Sequence, residues 1–195
     1  KTDKPVDPKF SLVHIGSLNA ARNPRTLWKA LSELVTENTE LASQLKIRFV
    51  GNVESVVFKD LENFGLSNYV DKVGYMSHAE AIAYQQTSTI LLLLVNNTPN
   101  ANGILTGKFY EYMASERPIL VIGPEKSDVA TLLNETNAGV IAGFDDLEGT
   151  KDVVNQLFND YKTGKLNSKS QNYQQYSRRN QCKKMAGLLD EMIIS

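Results

Sequence analysis

Short apolar runs alternate with amphipathic stretches along most of this chain. The apolar runs are each followed closely by glycine or by a glycine-bearing loop, and they span residues 10–15, 45–50, 70–73, 89–95, 119–122 and 140–142. Between them, apolar residues recur at helical spacing, as at Leu27, Leu31 and Leu34. Strands that alternate with helices indicate a parallel sheet covered on both faces. We therefore predict a Rossmann-like, doubly wound α/β fold of about six strands.

The clearest unit of this pattern lies between Thr89 and Pro124. The apolar run from Thr89 to Val95 is shorter than the roughly 20 residues of a membrane span, and it suits a strand buried on both faces. A polar loop follows. A helix is then predicted from near Thr106, whose hydroxyl can cap its first turn, to the residues before Pro118, which cannot extend it. Helical spacing places Phe109 and Met113 on one face, and Lys108, Glu111 and Tyr112 on another.

Charged residues at the start of this helix are candidates for ligand binding. In such units the loop after the first strand lies at the carboxyl edge of the sheet, where ligands bind. Free amides at a helix N-terminus suit phosphate, and Lys108 adds a full positive charge. Glu111 adds acceptors one turn further. The alternative is an ion pair between Lys108 and Glu111 on a solvated helix face.

The first strand ends in a second candidate turn. Gly16 follows the strand, Asn23 is a good N-cap, and Pro24 is a good first helical residue. Arg22 then stands before a helix N-terminus at the same sheet edge, where it either binds phosphate or is a surface arginine. His14 lies within the strand and is expected to be a core histidine rather than a ligand.

Caps and helix breakers give the remaining helices. They are predicted at 54–64, at 77–86 with the capping box Ser77–Glu80, and at 127–137, 145–161 and 173–194. The last is a long C-terminal helix. Residues 161–184 contain no acid but several cations: Lys162, Lys165, Lys169, Arg178, Arg179, Lys183 and Lys184. Such a segment forms a solvated face, or it meets an acidic partner domain or anionic lipid.

Composition narrows the classes of function. The chain has 195 residues, of which 42% are hydrophobic and 22% charged, and its net charge of −1 does not favour nucleic acid. One cysteine excludes an internal disulfide framework, and two histidines without a cysteine cluster argue against a metal site. No signal peptide or spanning helix is evident. The opening residues, K-T-D-K-P-V-D-P-K, are typical of a linker, so we expect a fragment of a longer protein.

Several well-known motifs are absent. Leu18 and Ala21 stand where a dinucleotide-binding turn needs glycine, and Gly107-Lys108 lacks the Ser or Thr of a phosphate loop. No G-x-S-x-G elbow or D-x-D pair occurs, and Asp145-Asp146 is interpreted as a helix start. Dehydrogenase, P-loop hydrolase and esterase functions are therefore disfavoured.

Three segments resemble the C-terminal, donor-binding half of GT-B glycosyltransferases of family four (glycosyl transferases group 1). V-H-I-G-S-L-N-A-A-R-N-P resembles the family's first strand, glycine turn and phosphate-binding basic residue. V-D-K-V-G-Y-M-S-H-A-E resembles the segment that meets the nucleobase. The most specific match is N-G-I-L-T-G-K-F-Y-E-Y-M-A-S-E-R-P-I-L-V, which resembles the signature with paired glutamates. The resemblance covers nearly the whole chain from Phe10 onward.

The resemblance implies a role for each matching residue. Glu111 matches the glutamate that holds the ribose, whereas Gly103 stands where a glutamate usually contacts the donor sugar. Asn100, Asn102 or backbone amides from 103 to 106 would substitute for that glutamate. The implied contacts are Gly16, Ser17, Arg22 and Lys108 for the diphosphate; Asn102, Gly103, Ile104, Leu105 and Thr106 for the sugar and phosphate loop; and Gly74, Tyr75 and Met76 for the nucleobase.

The resemblance also implies a domain organisation and a function. Residues 1–9 would link to a missing N-terminal domain, 10–165 would form the nucleotide-sugar-binding domain, and 166–195 would pack toward the N-terminal domain. We expect a cytoplasmic hexosyltransferase-like enzyme of polysaccharide or glycoconjugate synthesis, and this fragment alone is expected to be inactive. The enzyme would need no cofactor or metal, and the full-length protein could associate peripherally with the inner membrane face. The alternatives are a nucleotide-sugar epimerase of the same fold and a non-catalytic α/β interaction or sensor module.

Overall fold

The computed structural model describes residues 5–166 and 170–194, so Lys169 and residues 1–4 of the predicted linker lie outside the described residues. The described part forms a six-stranded parallel sheet with helices on both faces, which confirms the predicted fold class. Its strands are β1 (Phe10–Ile15), β2 (Leu45–Val50), β3 (Val70–Gly74), β4 (Ile90–Leu94), β5 (Ile119–Ile122) and β6 (Gly139–Ala142). Its helices are α1 (Arg25–Glu37), α2 (Thr39–Gln44), α3 (Ser55–Asn63), α4 (His78–Thr87), α5 (Gly107–Ala114), α6 (Asp128–Thr136), α7 (Leu147–Lys162) and α8 (Arg178–Ile194).

The strands lie in the order β3-β2-β1-β4-β5-β6. Strand order therefore runs outward in both directions from the pair β1 and β4. In doubly wound sheets this reversal point leaves a crevice at the carboxyl ends of the strands, because the connections on its two sides leave toward opposite faces. The fold thus places the reversal point between the turn after β1 and the loop after β4.

Alternate residues of the strands feed two separate hydrophobic cores. Leu12 and Leu92 point to the core covered by α1, α2, α3 and α7, while Val13 and Leu91 point to the core covered by α4, α5 and α6. The two helices that begin at the crevice, α1 and α5, therefore belong to opposite layers. Near-continuous apolar strands are what burial on both faces requires.

The start of α1 differs from the prediction by one residue. Pro24 is the N-cap, with a non-helical ψ of 70°, and the helix begins at Arg25. The Asn23 side chain does not cap the helix. Its amide oxygen accepts a hydrogen bond from the Trp28 indole at 2.7 Å, and its amide nitrogen donates to Asp60 at 2.7 Å. The Asn23 side chain is therefore engaged by Trp28 and Asp60 and is not available to cap α1.

The starts of two other helices also differ from the prediction. Thr106 is the N-cap of α5, but its hydroxyl makes no capping hydrogen bond. The predicted helix from Tyr173 begins instead as a 3₁₀ turn, Tyr173–Tyr176, and α8 starts only at Arg178. The side chains described along α8 are exposed, including an apolar stripe of Met185, Leu188, Leu189 and Met192.

Candidate functional site

The sheet opens between β1 and β4, a junction that we call the seam. These strands pair only at Leu12 with Ile90 and at Val13 with Leu91. Beyond these pairs, backbone groups of the two strands have side chains as hydrogen-bond partners. His14 Nδ1 lies 3.1 Å from the Leu92 carbonyl oxygen, and the Tyr112 hydroxyl accepts from the Ile15 N–H at 3.1 Å. Side-chain hydrogen bonds therefore replace backbone pairing between the two strands at this point.

Burial fixes the ionisation of both seam side chains. His14 is buried, as predicted for a core histidine, and burial together with the charge of Lys108 lowers its pKa to about 4. Burial also raises the pKa of Tyr112, so its hydroxyl stays protonated. Tyr112 shares a helix face with Lys108 and Glu111 by spacing, but it is fully buried, and its hydroxyl finds a hydrogen-bond partner in β1.

Lys108 lies directly over the turn that ends β1. A Cβ added to Gly16 would stand 2.6 Å from Lys108 Nζ, so the ammonium rests against the glycine backbone. Gly16 also has a φ of 117°, which side chains rarely adopt, so two constraints require glycine here. The predicted residues Gly16 and Lys108 are thus brought together, although 92 positions of sequence separate them.

Lys108 has no ion-pair partner among the described residues. Burial and the charge of Arg22 lower its pKa to about 8, and Glu111 opposes this shift only in part. The alternative of a Lys108–Glu111 ion pair is therefore not seen in the structure. A partly buried cation that faces another cation is an arrangement that suits an anion.

Arg22 approaches the same turn from the other side of the seam. One of its guanidinium nitrogens donates to the Ser17 carbonyl oxygen at 2.9 Å, while Nε is enclosed and has no hydrogen-bond partner in the part of the chain described. Arg22 also lines a cavity of about 200 Å³ at the start of α1. Ser17 therefore positions the arginine through its carbonyl oxygen.

Glu111 lies apart from that cavity. It is exposed and lines a smaller hollow of about 140 Å³ between α4 and α5, together with Ile82 and Gln85. Its charge reaches Lys108, one turn nearer the crevice. The geometry thus places a cation and a carboxylate in sequence along α5, leading away from the seam.

The other predicted residues occupy the same edge of the sheet. Asn102 and Gly103 are exposed in a 3₁₀ turn before α5, while Ile104 and Leu105 pack against the second core and offer only their backbone. Thr106 is exposed at the helix start. Gly74, with a φ of 85°, precedes Tyr75, which is 92% exposed, and Met76, which is half-buried. This turn follows β3, two strands away from β1.

Three cavity residues were missed by the sequence analysis. Asn97 follows β4, and Phe144 and Asp145 follow β6, and all three line the cavity beside Arg22. Asp145 is not part of a helix start, because Asp146 alone caps α7. Position after a strand is the signal that could have found them, since every strand of a parallel sheet presents its carboxyl end at one edge.

The described residues contain neither a cluster of metal-binding side chains nor a membrane-spanning helix. No three His, Cys, Asp or Glu side chains there come together in a way that could hold a metal ion. No helix within the described ranges is long and apolar enough to cross a membrane.

Comparison with known proteins supports the fold. No protein-family model matches the sequence, and neither does any curated protein. Among solved structures, HepE of Anabaena in complex with UDP superposes with a TM-score of 0.69 at 16% identity, covering 94% of this chain and 49% of that one. Sucrose-phosphate synthase of Thermosynechococcus elongatus gives 0.69 at 13% identity, covering 98% and 46%.

WaaG, a glycosyltransferase involved in lipopolysaccharide biosynthesis, gives a TM-score of 0.60 at 15% identity, covering 78% of this chain and 39% of that one. These neighbours are GT-B glycosyltransferases. The chain spans about half or less of the length of each of them. At such low identity the likeness establishes that this chain has the fold of one half of those proteins.

Proposed function

We propose that this chain is the donor-binding domain of a glycosyltransferase and that it binds a nucleotide diphosphate-sugar in the crevice. The observation that carries the proposal is the meeting of Arg22 and Lys108, neither with an acidic partner in the described residues, beside the start of α5 at the reversal point of the sheet. Two cations and free helix amides are the groups that a diphosphate needs.

The same groups suit the chemistry of sugar transfer. Negative charge grows on the leaving diphosphate as the glycosidic bond breaks. Arg22, Lys108 and the amides of α5 would stabilise that charge without a metal ion. Glu111 would accept hydrogen bonds from the ribose hydroxyls, and the turn at Tyr75 would meet the base. The bound UDP of the HepE structure supports this choice of ligand class.

The proposal extends to the parts that this chain does not contain. The acceptor site and any catalytic base would belong to an N-terminal domain, against which the exposed stripe of α8 would pack. The proposal further includes membership of family four and a role in polysaccharide or glycoconjugate synthesis. It also includes peripheral membrane association of the longer, cytoplasmic enzyme. Supporting features are the segment that resembles the family signature, in which Glu111 is present and Gly103 replaces the other glutamate, and the basic residues before and within α8.

Calorimetric titration tests the proposal. The chain is titrated with UDP, GDP and ADP, beside Glu111→Ala and the control Glu62→Ala, which removes an exposed acid of α3. We expect one base to be preferred and Glu111→Ala to weaken its binding by roughly 10- to 150-fold, the loss of charge-assisted hydrogen bonds worth about 1.5–3 kcal/mol. Absence of binding to all three nucleotides would favour the interaction or sensor module.

A further inference from the structure

A carboxylate from α6 faces the loop that leads into α5. Asp128 is the first residue of α6, after the N-cap Ser127. Its Oδ2 lies 4.0 Å from the point where a Cβ would stand on Gly103. The Asp128 side chain is exposed and makes no hydrogen bond or ion pair with any described residue. It is therefore an acceptor beside Gly103 without a partner in the described part of the protein.

Glycine at position 103 keeps this carboxylate open. Gly103 does not have the positive φ that would demand glycine, unlike Gly16 and Gly74. A side chain would therefore be compatible with the backbone there. Its Cβ would touch the Asp128 carboxylate and its further atoms would cover it. The effect of the glycine is to leave space next to Asp128.

The location suits the sugar of a nucleotide diphosphate-sugar. Gly103 precedes the start of α5 by four residues, so a diphosphate at that helix start would carry its sugar into the neighbourhood of the loop. Sugar hydroxyls donate hydrogen bonds, and an ionised carboxylate is their strongest acceptor in proteins.

We infer that Asp128 binds the hydroxyl groups of the donor sugar, in the place that the resemblance gives to a glutamate at position 103. The inference rests on the proposed function. It means that the sugar contact has moved to a different helix, and that the missing glutamate does not indicate a lost site. Asp128 is thus a specificity residue for the sugar and has no role in binding the nucleotide.

The experiment separates the sugar from the nucleotide. The chain and Asp128→Asn are titrated with UDP, GDP and ADP, and with the glucose conjugate of each. For the base that binds, we expect Asp128→Asn to weaken the sugar conjugate about tenfold and to leave the nucleotide within twofold. Glu125→Gln is the matched control, because this exposed acid, three residues before Asp128, lies near Gly143 rather than Gly103. Thermal melts of both variants check the fold.

A second variant tests the exchange of positions. In Asp128→Ala, adding Gly103→Glu should restore at least part of the tenfold loss, because the backbone accepts a side chain there. Equal losses for nucleotide and conjugate, or no loss for either, would overturn the inference while the proposed function stands. Failure of the unaltered chain to bind any nucleotide would overturn the proposed function and, with it, the inference.

Discussion

Partly buried cations at two places in this molecule have opposite electrostatic surroundings. Arg48 of β2 lies between two acids, Asp7 before β1 and Asp71 of β3, and it forms ion pairs with both. Although burial lowers the pKa of Arg48, the hydrogen bond to Asp71 and the charge of Asp7 raise it above its ordinary value. At the crevice, Lys108 faces Arg22 and has a lowered pKa.

The difference separates a stabilising cluster from the proposed binding site. The acids around Arg48 satisfy its charge within the fold, so no ligand is required there. The crevice cations repel each other, and the fold holds them together at a cost in stability. Such a cost is expected where the missing partner is an anionic ligand.

Removal of Arg48 should have the largest effect on stability. Arg48→Met leaves the Asp7 carboxylate, whose side chain is only 9% exposed, without its partner. We expect a loss of about 2–4 kcal/mol in the free energy of unfolding, measured by urea denaturation at pH 7. Nucleotide affinity of the folded protein should not change. A stability loss below 1 kcal/mol would remove the contrast between the two groups.

Removal of Lys108 should increase the free energy of unfolding, whereas removal of Arg48 decreases it. The pKa of Lys108 in the folded state is about 8, below the ordinary 10.5. Between these two pH values the unfolded chain therefore binds more protons than the folded chain. Below pH 8, where Lys108 is charged in both states, its charge lowers the stability of the fold. Lys108→Met should therefore raise the free energy of unfolding at pH 7 by about 1–3 kcal/mol, the lower values reflecting partial solvation. It should also weaken nucleotide binding at least tenfold. A less stable variant would contradict the assignment.

The pH dependence of binding gives the smallest and most specific effect. A bound diphosphate favours protonated Lys108, so above pH 8 the protein must take up a proton in order to bind. Affinity should be level from pH 7 to about 8 and then fall by up to about tenfold per pH unit. Calorimetric titrations of Lys108→Arg should lack this fall, and they control for titration of the nucleotide itself. The same fall in the arginine variant would exclude Lys108 as its source.

Strands and layers could be predicted from the sequence because their cause is local. Strands β4 and β5 are continuous apolar runs, and β1 and β2 are mostly apolar. Gly16, Gly51 and Gly74 at strand ends all have the positive φ that tight turns use. The capping box at Ser77 and Glu80 is also confirmed. Periodicity alone does not predict α2, a short helix capped by Asn38.

The site was predictable only as far as its groups follow strand ends. Lys108 and Arg22 were expected at one edge, and the structure brings both to the seam. The burial of Tyr112 was not predictable, because its hydrogen-bond partner Ile15 belongs to a distant strand. Asp128 was also missed, since its relation to Gly103 exists only after α6 has packed beside the loop.

The seam has a consequence for how this protein comes to be functional after synthesis. It divides the sheet into a first half, β1 to β3, and a second half, β4 to β6. Arg22 belongs to the first half and Lys108 to the second, so neither half contains both cations. A nascent chain that has completed only its first half has no competent crevice. If the crevice binds a diphosphate as proposed, this capacity would therefore arise late in assembly, when the two halves of the polypeptide join.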